Sequence, residues 1–260
     1  MAAHTNNIML TGYWPPTNEM IRPFSTDGDL NPEGWVGENW EGRGYDIYSF
    51  FPEFDNFPVD RVGSGDFTVD YQDTSEDFWR ITGEINPVAM ITFSQTGGRV
   101  WEVETQQRNL DNWVDDQVAP FQPTPSPPDA SVPVDHIRRT TLPVDNILGA
   151  VATVPGVIEF VDEDGFGGAF LSEFMAYHGT WYQDIHSSPD DEFRNVAAGH
   201  IHVGADIPIP RARLATELTL RELITHVDTV LGIPEPGSLH LCLPGLACIL
   251  MLRRGRNRCA

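Results

Sequence analysis

The sequence predicts an α/β protein, a three-layer α/β/α sandwich around a mostly parallel sheet. Three observations lead there. Short apolar runs alternate with segments of helical spacing along most of the chain. The run Val157–Val161 passes through a glycine-rich turn into helically spaced residues, within the stretch Gly165–Tyr177. A stiff aromatic loop, Trp14-Pro15-Pro16, ends the first apolar run, and open α/β sheets hold ligands at the carboxyl ends of their strands.

Taken in order, Ile8–Tyr13 reads as a central first strand, and residues 22–44 as loop rich in Gly, Asn and Asp. Tyr45–Phe51 alternates as a second strand, and residues 52–69 are irregular. Thr74-Ser75-Glu76-Asp77 has the hydroxyl-then-acid spacing that opens a helix. Asn86-Pro87 closes it. Val88–Phe93 is a third strand. Gly97-Gly98 turns into Val100–Glu104, where Glu102 and Glu104 share one face and Val103 takes the other. Prolines 120, 123, 125, 127, 128 and 133 make residues 119–135 an extended excursion. A helix follows from Val144 to Ala152, with Pro143 near its start. Val157–Val161 reads as a buried strand, and Val196–Val203 as the last. Thr219-Leu220-Arg221-Glu222 is a capping box that opens a final helix ended by Gly232.

Composition narrows the functional classes. The net charge is −22, with 16 basic residues against 38 acidic ones, and every basic residue is arginine. Such a surface repels nucleic acid and anionic lipid, so neither is expected as a partner. The three cysteines, Cys242, Cys248 and Cys259, all follow residue 240. Residues 1–232 therefore contain no thiol for a disulfide, a zinc site or a nucleophile. The polar start, Met1–Asn7, lacks the basic and apolar regions of a signal peptide.

The chemistry concentrates on few side chains. Ser172 sits where strand passes into helix, at the positive end of a helix dipole. There it reads either as an N-cap or as a nucleophile whose oxyanion would be stabilised. Glu102 and Glu104 are either a solvated face or a carboxylate that orients a histidine. His200 and His202 point to one face of their strand, and one of them suits a general base. As a pair they have metal-ligand chemistry, but no third ligand shows matching spacing, so no metal is expected.

Several stretches, in order, resemble the pyroglutamyl peptidase I family, the pyrrolidone-carboxylate peptidases. They are Thr11-Gly12-Tyr13-Trp14-Pro15-Pro16, Glu104 with Asn109 five residues on, Thr141-Leu142-Pro143-Val144, Gly168-Ala169-Phe170-Leu171-Ser172-Glu173 and Gly199-His200-Ile201-His202-Val203. The resemblance covers about residues 8–231. It implies a phosphorylase/hydrolase-like α/β/α fold without a cofactor, removal of an N-terminal pyroglutamate from peptides, and often a homo-oligomer. Carried over by position, it implies the triad Glu104, Ser172, His202, and it selects His202 over His200. It implies a substrate pocket at Tyr13, Trp14, Pro16 and Gly168 that takes a peptide end or a small cyclic amide. The chain departs from the family in three places. The family's cysteine is Ser172, the second aromatic of its opening loop is Pro16, and no arginine lies between Arg108 and Arg138. A hydroxyl is much harder to ionise than a thiol and needs concerted proton removal. These departures point to altered specificity or reduced activity, or to a silent binding protein.

Residues 233–260 read as a separate tail. Pro234-Glu235-Pro236, the apolar Leu239–Leu252 and the arginines from Arg253 to Arg258 resemble a PEP-CTERM sorting signal. That resemblance implies a Gram-negative-type bacterium, export to the cell envelope and cleavage by an exosortase. If the tail is vestigial, the expected location is the cytoplasm.

Overall fold

The computed structural model describes residues 4–165 and 168–234. Its strands are β1 (Asn7–Thr11), β2 (Asp46–Phe50), β3 (Ala89–Thr96), β4 (Val100–Glu104), β5 (Gln106–Arg108), β6 (Ile137–Arg139), β7 (Ile158–Asp162) and β8 (Ala197–Gly204). Six of them form one sheet in the order β2-β1-β3-β8-β4-β7, and β5 pairs with β6. Within the six-stranded sheet every pairing is parallel except β4 against β8. The helices are α1 (Thr17–Ile21), α2 (Tyr71–Ile85), α3 (Val144–Val151), α4 (Leu171–Ile185) and α5 (Ile209–Leu231). They flank the sheet, giving the three-layer α/β/α arrangement expected from the alternating pattern.

The register assigns each side chain to a face. Met9 lies beside Met90, and Met90 beside Ala198. These three join Phe78 and Ile81 of α2 and Phe174 and Met175 of α4 in one buried cluster. Alternation then puts Ile8, Leu10, Ile91, Phe93, Ile201 and Val203 on the other face, all fully buried. That second face is apolar across the middle of β1, β3 and β8 and turns polar only at Gln95, at the end of β3. On the face covered by α2 and α4, the same alternation brings up Thr92, Ser94, His200 and His202. The antiparallel register adds Glu102 opposite His202, with Glu104 two residues on. One face of the sheet thus packs as core, and the other changes from methionine to polar groups along its strands.

Three local expectations are corrected. Helix α2 begins at Tyr71, ahead of the predicted Thr74 start, because Asp70 caps it: its carboxylate accepts from the amides of Gln72 and Asp73. The capping box at Thr219–Glu222 lies inside α5, which starts ten residues earlier at Ile209. Continuous helical packing through Ala212, Ala215, Leu220 and Leu223 overrides the local signal. Strand β7, read as buried, is the edge of the sheet, with Ile158 59% and Phe160 52% exposed.

The proline-rich excursion is held by a buried charge pair. The Arg138 guanidinium of β6 lies 3.0 Å from the Asp129 carboxylate, both nearly inaccessible. It also bonds the Tyr177 hydroxyl of α4 and reaches Asp184 at 3.2 Å. Asn109 donates to the Asp129 carbonyl at 2.8 Å and fastens the same segment from the other side.

The unit just described covers residues 1–227; a second begins at Asp228. The described part of the second unit is the end of α5, closed by Gly232 at φ +69° with Ile233 N donating to Asp228 O. The apolar and basic parts of the predicted sorting tail lie outside the described residues, as do residues 166 and 167 of the glycine-rich turn. No helix among the described residues is long and apolar enough to cross a membrane.

Arg138→Ala leaves Asp129 a buried carboxylate without its cation and is expected to cost about 3 kcal/mol or more. Urea unfolding should show a lower midpoint, and adding Asp129→Asn should recover part of the loss because the stranded charge is gone.

Candidate active site

The polar end of the α2/α4 face contains two histidines in different states. His200 is fully buried, and both ring nitrogens are hydrogen-bonded, Nδ1 with the Thr92 hydroxyl at 2.8 Å and Nε2 with the Ser94 hydroxyl at 2.9 Å. Burial pushes its pKa down to about 3, so it stays neutral. His202 Nδ1 instead faces Glu104 Oε1 at 2.9 Å. Burial opposes its positive form, but contact with Glu104 and the charges of Glu104, Glu102 and Glu173 outweigh this and raise its pKa above the ordinary 6.5. Burial likewise pushes the Glu104 carboxyl up, and the two imidazoles beside it bring it below its ordinary value. A buried carboxylate facing Nδ1 fixes the tautomer and leaves Nε2 as the atom that can take a proton. The two rings meet edge-on, 4.7 Å between centroids.

Ligand atoms of Glu104, His200 and His202 lie within 4.8 Å of one another. The third ligand-type residue that spacing did not reveal therefore exists in space. Binding an ion there would break one hydroxyl bond of His200 and, at His202 Nδ1, the Glu104 contact.

His202 opens onto a cavity of about 340 Å³. Tyr13 and Trp14, from the loop after β1, form one wall. Tyr13 is fixed by its hydroxyl, bonded to Thr74 Oγ1 at 2.8 Å, and by its amide, which donates to Thr17 Oγ1. The Trp14 indole donates to the Arg61 carbonyl, and its ring lies 6.4 Å from that of Phe170. Ser94, Gln95 and Thr96 from the end of β3 form another wall, and Gln95 donates to the Pro15 carbonyl. Phe170, Leu171 and Ser172 close the cavity from the start of α4, and Glu102 stands on β4.

Ser172 is the second residue of α4, not its N-cap; Phe170 holds the cap position and offers no side-chain bond. The Phe170 side chain does not cap α4, and the positive end of the helix dipole lies beside the cavity that Leu171 and Ser172 line. Ala169, at φ +53°, turns the chain into the helix, and its carbonyl accepts from Val114 N at 2.9 Å. Glu173, next to Ser172, is fully buried and accepts from Arg108 N at 2.7 Å.

Tyr13, Trp14, Ser172 and His202 thus meet at one cavity, with Glu104 behind His202. Pro16 does not line it: it stands at the start of α1, its carbonyl accepting from Met20 N. Gly168 is exposed, at φ +86°, and does not line it either. Sequence reasoning missed Ser94, Gln95, Thr96 and Val69 as lining residues. The readable signal for Ser94 was its place at the polar end of an otherwise apolar strand.

In structure comparison the chain is similar to solved pyrrolidone carboxyl peptidases. Against the enzyme from Thermococcus litoralis the TM-score is 0.60 at 15% identity, over 86% of this chain and 96% of that one. Against a mutant of the enzyme from the hyperthermophile Pyrococcus furiosus it is 0.59 at 14% identity, over 85% and 99%. Another Pyrococcus furiosus structure, from work on that enzyme and its cysteine-free mutant, gives 0.58 at 14% identity, over the same shares. No family model and no curated protein matches the chain. At such identity the likeness is one of fold, and it covers nearly the whole of each neighbour.

The His202 titration tests the electrostatics directly. Its NMR midpoint should lie above 6.5, and Glu104→Gln should move it below that value, because burial is then opposed by less charge. A raised folded pKa stabilises the protein fully below the ordinary imidazole value, and this contribution fades as pH rises through the folded one. In Glu104→Gln that trend should flatten or reverse.

Proposed function

We propose that the chain is a hydrolase of N-terminal peptide amides of the pyrrolidone carboxyl peptidase kind, with a serine nucleophile and altered specificity. The observation that carries this reading is the convergence of Ser172 and His202 on one cavity, with Glu104 2.9 Å behind the imidazole, on a fold shared with those peptidases.

The steps follow from the groups present. Neutral His202 takes the Ser172 hydroxyl proton at Nε2 as the oxygen attacks the amide carbonyl. Glu104 holds the imidazole in the required tautomer and stabilises the imidazolium that forms. Amides of the first turn of α4 stabilise the oxyanion. The imidazolium then returns its proton to the leaving amine, the amide C–N bond breaks, and an acyl ester remains on Ser172. Water, deprotonated by His202, attacks that ester, and the imidazolium returns the proton to Ser172 Oγ as the acid leaves. The raised His202 pKa suits a serine: a more basic imidazole removes a hydroxyl proton more readily, though a smaller fraction of it is neutral at neutral pH. The tail is proposed to act separately, as a sorting signal read by an exosortase.

A fluorophosphonate probe should label the full chain at Ser172, as located by peptide mass spectrometry. Ser172→Ala should abolish labelling, and Ser172→Ala or His202→Ala should lower turnover of fluorogenic aminoacyl amides by about a thousandfold. A chain that is neither labelled nor active on such amides would be a binding protein that keeps the fold.

A further inference from the structure

The cavity wall contains a carboxylate that the proposed chemistry leaves unused. Glu102 is the acidic side chain among the described lining residues, and no arginine joins it there. It stands opposite His202 in the antiparallel register, so both project from the same face. It is half-buried, and among the described residues no side chain or amide donates to it. Glu104 and Glu173, the other carboxylates near His202, are both occupied, with His202 and with the Arg108 amide. Among the described lining residues, the group that can become cationic is the imidazole of His202, already paired with Glu104.

These facts have a consequence for what the cavity binds. A neutral lactam would shield Glu102 from water and leave it only the imidazole that Glu104 already holds. A desolvated carboxylate without a partner is costly. A ligand ammonium would replace the lost water with a charge-assisted hydrogen bond. The rest of the wall fits a small ring or aliphatic group bearing such a charge: Tyr13, Trp14 and Phe170 give apolar surface, and Ser94 and Thr96 give further acceptors.

We infer that the cavity selects substrates with an unblocked, positively charged amine at the N-terminal residue, and that Glu102 is the residue that reads this charge. This rests on the hydrolase reading above and names its substrate class: free aminoacyl or prolyl amides in preference to pyroglutamyl amides.

L-Prolinamide and L-pyroglutamamide share a five-membered ring and differ in charge, so they isolate the effect. Calorimetric titration of the full chain at neutral pH should show prolinamide binding at least about tenfold more tightly. In Glu102→Gln that preference should vanish, with pyroglutamamide binding unchanged or stronger. Glu102→Ala, checked for an unchanged thermal midpoint, provides a second variant. Equal affinities, a preference for pyroglutamamide, no binding of either amide, or a preference that survives both variants would overturn the inference. Fluorophosphonate labelling separates the two claims: labelling at Ser172 without charge preference sinks this inference alone, and absent labelling sinks the hydrolase reading.

Discussion

A carboxylate with no accessible surface must be met by charge or by donors, and Glu104 organises this protein around that requirement. Its partner, His202, stands on the neighbouring strand opposite Glu102, two residues off Glu104, so the contact crosses β4 and β8 diagonally at the antiparallel pairing of an otherwise parallel sheet. Burial keeps the His200 imidazole neutral beside the pair, and the Thr92 and Ser94 hydroxyls of β3 satisfy both its ring nitrogens. Those hydroxyls are in place only because β3 and β8 run parallel in register over eight residue pairs. Three strands are thus aligned by one buried group, and the cavity forms where their polar ends meet the start of α4.

Most of the frame was legible because periodicity carries it. The strands at Ile8, Val88 and Val196 read correctly as continuous apolar runs, since the sheet is covered on both faces. The alternation of Glu102 and Glu104 and of His200 and His202 placed each pair on one face, as the register bears out. The misreadings have physical causes. Thr74 looked like a helix cap, but its hydroxyl serves Tyr13, and Asp70 lies four residues closer to the irregular loop that ends there. Val157–Val161 looked buried because aliphatic composition alone does not separate an edge strand from a central one. The short ladder of β5 with β6 could not be read, because Gln106–Arg108 and Ile137–Arg139 carry no alternation and pair across the proline-rich excursion.

The site was legible in its chemistry and less so in its walls. Ser172, His202 and Glu104 are residue types that announce a function. Val69, Gln95 and Thr96 are ordinary residues that become lining only through the packing of loops from distant parts of the chain. The same applies to Arg138. Its hold on Asp129, Tyr177 and Asp184 joins three segments, and no local pattern predicts it. That anchor stiffens the excursion and links it to α4, the helix whose first turn carries Ser172.

The two borders of the sheet are finished differently. At β2, Gly37 lies so close that its carbonyl accepts from Ile47 N, and the Trp35 indole donates back to the Ile47 carbonyl. A side chain at Gly37 would collide with Ile47 O at 2.0 Å, so only glycine lets the chain seal that border. At β7 the outer backbone has no such cover among the described residues, and Ile158 and Phe160 face solvent. An open row of this kind is a template for pairing with another chain. Here it is interleaved with Glu159 and followed by Asp162, Glu163 and Asp164, so two such borders repel on approach. That protection is electrostatic and falls away with ionic strength. Ionic strength therefore sets how strongly that border is guarded.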